Sequence, residues 1–269
     1  IPAQEVGIAW ERIADGKRLA LHDRISFHNY GLQAIELPVT LAFRAEFEDV
    51  FVVRGLLSER PGEIRPPEWR DGVLRFRYDG ADGVHRSTTV AFSPQPERTE
   101  ATMAHFQLRV GPGEESALLV SLCVAESTAP EEVERPRPGA PDLARLGRVL
   151  RRGADRASAR KPMVRSDSLL LNRVLERSFR DLHMLRSRWE DRSYFSAGLP
   201  WFGTLFGRDT IITALETLAY SPDVAPETLR VLAAHQGTAT NDWRDEEPGK
   251  ILHELRVGEF GRASCRERV

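Results

Sequence analysis

VLRFRYDGADGVHRSTTVAF (residues 73–92) decides the reading of the first half of the chain. Leu74, Phe76 and Tyr78 alternate with polar residues, and so do the residues leading to Val90 and Phe92. That period of two is the signature of a strand with one buried face. Between the runs lies Asp79-Gly80-Ala81-Asp82-Gly83, whose glycines and aspartates suit a reversing turn, so the stretch reads as a β-hairpin. Working outward, LPVTLAFRAEF (37–47) and VFVVRGLL (50–57) read as further strands. HFQLRVGPGEESALLVSLCVAE (105–126) reads as a second hairpin turning at Gly111-Pro112-Gly113. Short strands at regular spacing, with no helical period between them, predict an antiparallel β-sandwich over residues 1–126. A sheet inside a mixed domain is the alternative.

Residues 127–165 change in composition. STAPEEVERPRPGAP is rich in proline and charge, which marks a linker. Leu143, Leu146 and Leu150 then stand at the spacing of a short amphipathic helix. From Ser166 the period is helical throughout. Leu171, Val174, Leu175, Phe179, Leu182, Leu185 and Trp189 form one stripe of a long helix, with Ser166 or Asp167 as its N-cap. A second helix is expected at 209–220, with Ile211, Leu215 and Leu218 on one face and Ile212 and Ala219 beside it. A third is expected at 225–237, opened by Pro226 and closed by Gly237. Strands first and helices afterward give an α+β multidomain organisation.

Bulk composition narrows the function. The 269 residues are 41% hydrophobic and 29% charged with net charge −2, which suits a protein with a core and excludes a strongly basic nucleic-acid binder or a polybasic membrane binder. Two cysteines, Cys123 and Cys265, show no CxxC spacing, and the expected compartment is the cytoplasm. No run is apolar enough for a membrane span and no signal peptide is legible. A chain that starts at Ile1 rather than Met is read as lacking its natural start.

GLPWFGTLFGRDTIITAL (198–215) sets an Arg208-Asp209 pair inside an aromatic, glycine-punctuated run at a helix entrance. Asp209 can be read as a helix cap. That reading leaves Arg208, Trp201 and Phe202 without a purpose. Sugars present apolar faces that stack on aromatic rings and a rim of hydroxyls, while Arg offers only donors and ionised Asp only acceptors. The pair side by side can hold two neighbouring hydroxyls, so Arg208, Asp209, Trp201 and Phe202 are candidate sugar-binding residues. NDWRDEEPGKILHEL (241–255) adds Glu247, Lys250, His253 and Glu254 around a Pro248-Gly249 turn, groups suited to hydroxyl binding or acid–base work. Asp242 and Asp245 read as ordinary surface residues, with Trp243, Ile251 and Leu252 as apolar anchors. No metal site and no cofactor are expected: adjacent His253 and Glu254 have poor geometry for one ion, and no second histidine stands at ligand spacing. His22 and His28 read as ordinary strand or loop residues. Walker, GxGxxG, GxSxG and HExxH motifs are absent.

AGLPWFGTLFGRDTIITALETL and DEEPGKILHELRVGE closely resemble the bacterial and archaeal glycogen-debranching, amylo-α-1,6-glucosidase-type family. FEDVFVVRG (47–55) and FRYDGADGVHRSTTVAF resemble its N-terminal β domain. The resemblance implies a β-sandwich followed by an (α/α)6 toroid, with 166–259 as the first part of that toroid and 260–269 as an atypical tail. It implies a glycoside hydrolase acting on α-glucans through two carboxylates, an α-glucan or α-glucoside as partner, and Arg208 and Asp209 gripping the non-reducing glucose. Trp201 and Phe202 would wall the pocket, and Glu247, Lys250, His253 and Glu254 would line it. The catalytic residues themselves are not assigned. The chain is expected to be an N-terminal fragment without turnover of its own, with apolar helix faces left uncovered. A non-catalytic carbohydrate-binding module and a sugar phosphorylase on the same architecture are the alternative functions.

Overall fold

Alternation between inward and outward side chains organises the N-terminal part of the chain. The computed structural model describes residues 5–55, 62–130, 142–159, 164–242 and 245–256. Its elements begin with β1 (Val6–Asp15), β2 (Ala20–Asn29), β3 (Ile35–Ala42) and a short helix α1 (Val50–Val53). They continue with β4 (Glu63–Arg70), β5 (Val73–Asp79), β6 (His85–Ser93), β7 (Arg98–Glu100), β8 (Met103–Val110) and β9 (Glu115–Ser127). Helices α2 (Leu143–Ala159) and α3 (Leu169–Leu185) follow. After them come β10 (Arg186–Trp189), β11 (Arg192–Phe195), β12 (Leu205–Phe206), α4 (Gly207–Glu216), α5 (Val224–Ala234) and β13 (Glu254–Leu255).

The chain divides into two compact units, one of residues 1–48 and 59–153, the other of residues 49–58 and 154–269. The first unit holds two antiparallel sheets, one of six strands in the order β1-β2-β9-β6-β5-β4 and one of three in the order β3-β8-β7. β5 and β6 pair as the hairpin that residues 73–92 predict, from Leu74 opposite Val90 to Asp79 opposite His85. Leu74, Phe76, Val90, Phe92, Leu118 and Val120 from the larger sheet share one core with Leu37, Ala104, Phe106, Leu108 and Val110 from the smaller. Two sheets closing on one apolar layer make a β-sandwich. Phe92 sits in an aromatic cluster, with the rings of Phe43, Trp69 and Phe106 centred 5.5, 5.9 and 5.7 Å away. β4 lies at an edge, and its register shifts between Arg65 and Glu68. Pro66 and Pro67 occupy that gap, and proline has no N–H for the ladder, so an edge with a bulge is where it fits.

Two strand expectations are corrected. β8 and β9 do not form a hairpin: β8 pairs with β3 and β7, while β9 lies between β2 and β6. The Gly111–Gly113 turn carries the chain from one sheet to the other. Fully buried Asn29 holds it, donating from Nδ2 to the Val110 carbonyl at 3.0 Å, while the Asn29 carbonyl accepts from Gly113 N at 2.8 Å. The apolar run at 50–57 is not a strand over 50–53: Asp49 Oδ1 accepts from Phe51 N at 2.9 Å and caps the single turn α1. Local capping here outweighs the β preference of valine. The rest of that run, from Leu56, lies outside the described residues.

The second unit differs from its helical expectations in three ways. α3 ends at Leu185, and Arg186–Phe195 turns back as the two-stranded β10–β11, with Glu190 at φ 53° in the turn. Its N-cap is Ser168, whose Oγ accepts from Leu171 N at 3.3 Å, rather than Ser166 or Asp167. Ser166 is instead held by Asn172 on both its backbone N–H and its carbonyl, each at 2.9 Å. α4 begins at Gly207, and its buried residues are Gly207, Thr210 and Ala214. The predicted stripe of Ile211, Leu215 and Leu218 faces outward, Leu215 being 65% exposed. Burial of Thr210 costs little because its hydroxyl donates to the Phe195 carbonyl at 2.9 Å. The unit's core gathers Tyr194, Leu205, Val231, Leu232, Leu252 and Leu255. Among the described residues no helix is long and apolar enough to cross a membrane.

Two outcomes are expected. Leu74, 0% exposed, when replaced by alanine should destabilise the β unit by about 2–5 kcal/mol. Alanine at Leu32, 95% exposed, should change stability by less than about 0.5 kcal/mol in the same denaturant titration. His22 is 3% exposed, with Nδ1 2.9 Å from Ser121 Oγ. Burial pushes it below its ordinary value of 6.5, against the pull of Asp15 and Asp23. The unfolded chain then binds the proton more readily than the folded one. Stability is full above pH 6.5 and falls as the pH drops from there to the lowered folded value. A His22→Gln variant should lose that segment of the stability–pH curve.

Candidate functional site

The site forms where two segments far apart in sequence meet. Leu205 pairs with Leu255 and Phe206 with Glu254, joining β12 to β13. Gly207 N then donates to the His253 carbonyl at 3.0 Å, so the first residue of α4 is held against the Ile251–His253 segment. The approach is so close that a Cβ on Gly207 would stand 2.2 Å from the Leu252 carbonyl oxygen. Glycine is required there by space. Thr204 adds a hydroxyl donated to the Leu255 carbonyl.

This junction borders an open cavity of about 400 Å³. Gly207, Arg208 and Ile211 of α4 line one side, and Asp245, Lys250, Ile251, Leu252 and His253 line the other. Ile211, Ile251 and Leu252 provide apolar surface, and Arg208, Asp245, Lys250 and His253 provide polar atoms. Arg208 Nη2 lies 3.6 Å from Asp209 Oδ2, with the two side chains 77% and 39% exposed. They are neither buried against each other nor remote from a cavity. The helix cap is Phe206, which makes no side-chain capping bond, and Asp209 is the third helical residue. Its carboxylate complements the helix dipole from within the first turn instead of capping the terminus.

Lys250 Nζ lies 2.7 Å from Asp245 Oδ1 and 3.9 Å from Glu247 Oε1. The hydrogen bond to Asp245 raises Lys250 above the ordinary lysine range, so it stays charged. The loop carrying these groups is fixed by its backbone. Gly237 N donates to the Lys250 carbonyl at 2.8 Å, Gly249 N to the Gly237 carbonyl at 2.8 Å, and Asn241 and Glu246 exchange bonds of 2.9 and 3.1 Å. Glu246 Oε1 accepts from Thr238 N at 3.0 Å.

Of the eight residues expected from the sequence, Arg208, Lys250 and His253 border the cavity, and Asp209 is next to it through Arg208. Phe202 stands at 46% exposure with its ring edge-on to Phe206, and Phe206 in turn is edge-on to His253, at 5.9 and 5.8 Å. Trp201 faces Arg54, whose guanidinium is 5.6 Å from the ring centre. Glu247 is exposed outside the lining. Glu254 is turned away into an ion pair with Arg256 at 2.8 Å, both side chains nearly buried at 12% and 11% exposure. Arg256 also donates to the Trp201 carbonyl at 3.0 Å and stacks over Phe51 and Phe206 at 4.8 and 5.7 Å. Sequence reading missed Arg256 and set Asp245 aside. No local signal in the sequence marked Arg256, which follows directly on β13. Trp243 and the tail with Cys265 lie outside the described residues. Among the described residues no group of three or more His, Cys, Asp or Glu could hold a metal ion.

Residues 1–121 match the family model for the N-terminal domain of (some) glycogen debranching enzymes, so that part of the chain is similar to this domain family. The matched residues take in β1 to β8 and the first half of β9. No curated protein matches the chain. Two solved structures are similar in part. One is described as "Putative kojibiose phosphorylase from human microbiome", at 9% identity and TM-score 0.34, over 67% of this chain and 22% of that one. The other is a polysaccharide lyase, at 16% identity and TM-score 0.27, over 48% of this chain and 21% of that one. The chain spans about a fifth of the length of each.

Replacing Gly207 by alanine should destabilise the helical unit by about 1–3 kcal/mol, because backbone must move to admit the methyl group. Alanine at Gly16, with nothing within 4 Å of its added Cβ, is the control. Thermal unfolding of both variants against the parent chain checks the difference.

Proposed function

We propose that the chain is the N-terminal part of a glycoside hydrolase of the glycogen-debranching, amylo-α-1,6-glucosidase type, acting on α-glucans. In this reading residues from 166 onward supply the first helices of an (α/α)6 toroid. The cavity beside α4 holds the non-reducing glucose of the substrate. One observation carries the proposal: Arg208 at the entrance of α4 and Lys250 and His253 of a distant loop stand around one cavity floored by Ile211, Ile251 and Leu252. A pyranose needs that combination of an apolar face and a donor-rich rim. The family of the N-terminal domain supports the glucan class.

Arg208 and Asp209 grip adjacent hydroxyls, Arg208 donating and Asp209 accepting. Their exposure in the ligand-free chain leaves them available, and their mutual distance of 3.6 Å matches a loose pair that a diol can enter. Charge-assisted hydrogen bonds to hydroxyls are roughly twice as strong as neutral ones. Trp201 and Phe202 form the approach to this grip, and Phe202 carries the larger exposed ring edge. Glu254 acts through Arg256, which fixes the Trp201 backbone.

Calorimetric titration with maltose tests the proposal. Saturable binding should weaken about 10-fold or more in Arg208→Ala and in Asp209→Asn, with unchanged melting temperature, since exposed ion pairs contribute little stability. Binding that survives both substitutions would favour a separate carbohydrate-binding surface instead.

A further inference from the structure

The cavity beside α4 is bounded by a second ion pair, which joins Lys250, a site candidate from the sequence, to Asp245, which the sequence places on the surface. Asp245 and Lys250 both line it, 2.7 Å apart at Nζ and Oδ1, facing the space that Arg208 borders from α4. Resting on the carbohydrate reading above, we infer that Asp245 and Lys250 form a second hydroxyl clamp that makes the cavity selective for a terminal pyranose with two free hydroxyl-bearing edges.

The chemistry is that of the first clamp repeated. Lysine supplies donors only and ionised aspartate acceptors only, so together they offer a diol one donor and one acceptor site. Arg208, Lys250 and Asp245 line the cavity and Asp209 lies 3.6 Å from Arg208, so each cation has a carboxylate beside it. Their formal charges cancel, which favours a neutral polyol over a phosphate ester or a uronate. The pair has little structural purpose. The Asp245 side chain is 80% exposed, and an exposed ion pair is worth between nothing and about 1 kcal/mol. Asp245 also holds φ 50°, a conformation uncommon for a residue with a side chain, though aspartate tolerates it better than most. The loop is nonetheless set in place from within. Lys250 is anchored through its carbonyl to Gly237 N at 2.8 Å and through its N–H to the Glu247 carbonyl at 3.0 Å. Gln236 Nε2 donates to the Gly249 carbonyl at 2.6 Å. The backbone that carries Lys250 is therefore held in place, which lowers the cost of ordering that arm of the clamp on binding.

A site built to pair a hydroxyl rejects a ligand lacking it far more strongly than an apolar pocket rejects an extra methylene. Two clamps on one ring extend that rejection to both edges. An internal glucose of a linear chain has its 4-hydroxyl substituted and loses one clamp, whereas a chain end satisfies both.

The test uses the whole chain, titrated calorimetrically with methyl α-D-glucoside and with its 2-, 3-, 4- and 6-deoxy analogues. Variants Asp245→Asn and Lys250→Met are compared with Arg208→Ala. Two of the deoxy positions should depend on Asp245 and Lys250, and different ones on Arg208. Asp245→Asn should weaken the parent glucoside about 10-fold or more, yet leave unchanged its affinity for the analogues already lacking the clamped hydroxyl. Melting temperatures should stay within a degree or two of the parent, so loss of folding is recognised separately. If Arg208→Ala weakens the glucoside while Asp245→Asn and Lys250→Met do not, the second clamp is refuted and the single-clamp reading stands. If no variant changes the affinity, or the parent chain shows no saturable binding of the glucoside, both readings fall. Tighter binding of glucose 6-phosphate than of glucose, lost in Lys250→Met, would overturn the neutral-ligand assignment.

Discussion

The candidate site depends on a two-residue ladder and one missing side chain. Leu205 and Phe206 pair with Leu255 and Glu254, and Gly207 leaves room for the Leu252 carbonyl to come within van der Waals range of its Cα. Without that contact, the entrance of α4 and the Ile251–His253 segment would have no fixed spacing, and Arg208 would have no cavity to border. Leu205, Leu252 and Leu255 are buried in the same core. The hydrophobic layer that stabilises the unit therefore also sets the position of its polar rim. Arg256 ties the other side of the junction by reaching the Trp201 carbonyl while its charge is met by Glu254. A buried guanidinium so placed has its donors used by protein, and Glu254, paired with it, lies outside the cavity lining.

The two units differ in how they bury apolar surface. The β-sandwich closes a contiguous core between two sheets, with several residues at or near zero exposure. In the helical unit α3 has no fully buried residue, and α4 presents Ile211, Ile212 and Leu215 outward. Small and hydroxylated residues, Gly207, Thr210 and Ala214, form the face of α4 that packs inward, so the helix can come close to its neighbours. Ile211 serves twice, as part of that outer face and as a wall of the cavity. Apolar surface beside polar groups at a helix entrance is what a sugar-binding cleft requires.

Legibility in the sequence followed the physics of each element. The 73–92 hairpin was readable because alternation and turn chemistry agree there. The step from β8 to β9 was not, because Gly-Pro-Gly serves a hairpin and a change of sheet equally well, and the choice is made by distant partners, β3 for one strand and β2 and β6 for the other. Trp189 continues the spacing of α3 by coincidence, so the β10–β11 turn at Glu190 was hidden. The inward face of α4 was not legible from hydrophobicity, because a hydrogen bond from Thr210 to the Phe195 carbonyl lets a polar residue go inside. Arg208, Lys250 and His253 were legible as chemistry from residue type alone. The family resemblance set them around one pocket, but the place of Asp245 there was not legible, since nothing local in the sequence encodes the β12–β13 pairing.

The central claim is that a glucose ring sits on Ile211 and Ile251 with its hydroxyls held by the charged rim. Nuclear Overhauser contacts between the ring protons of methyl α-D-glucoside and methyl-labelled isoleucines test it most directly. The account predicts contacts to the methyl groups of Ile211 and Ile251 and none to Ile8 or Ile64, which are exposed on the β unit. Contacts confined to the β unit, or to no isoleucine at saturating glucoside, would contradict it.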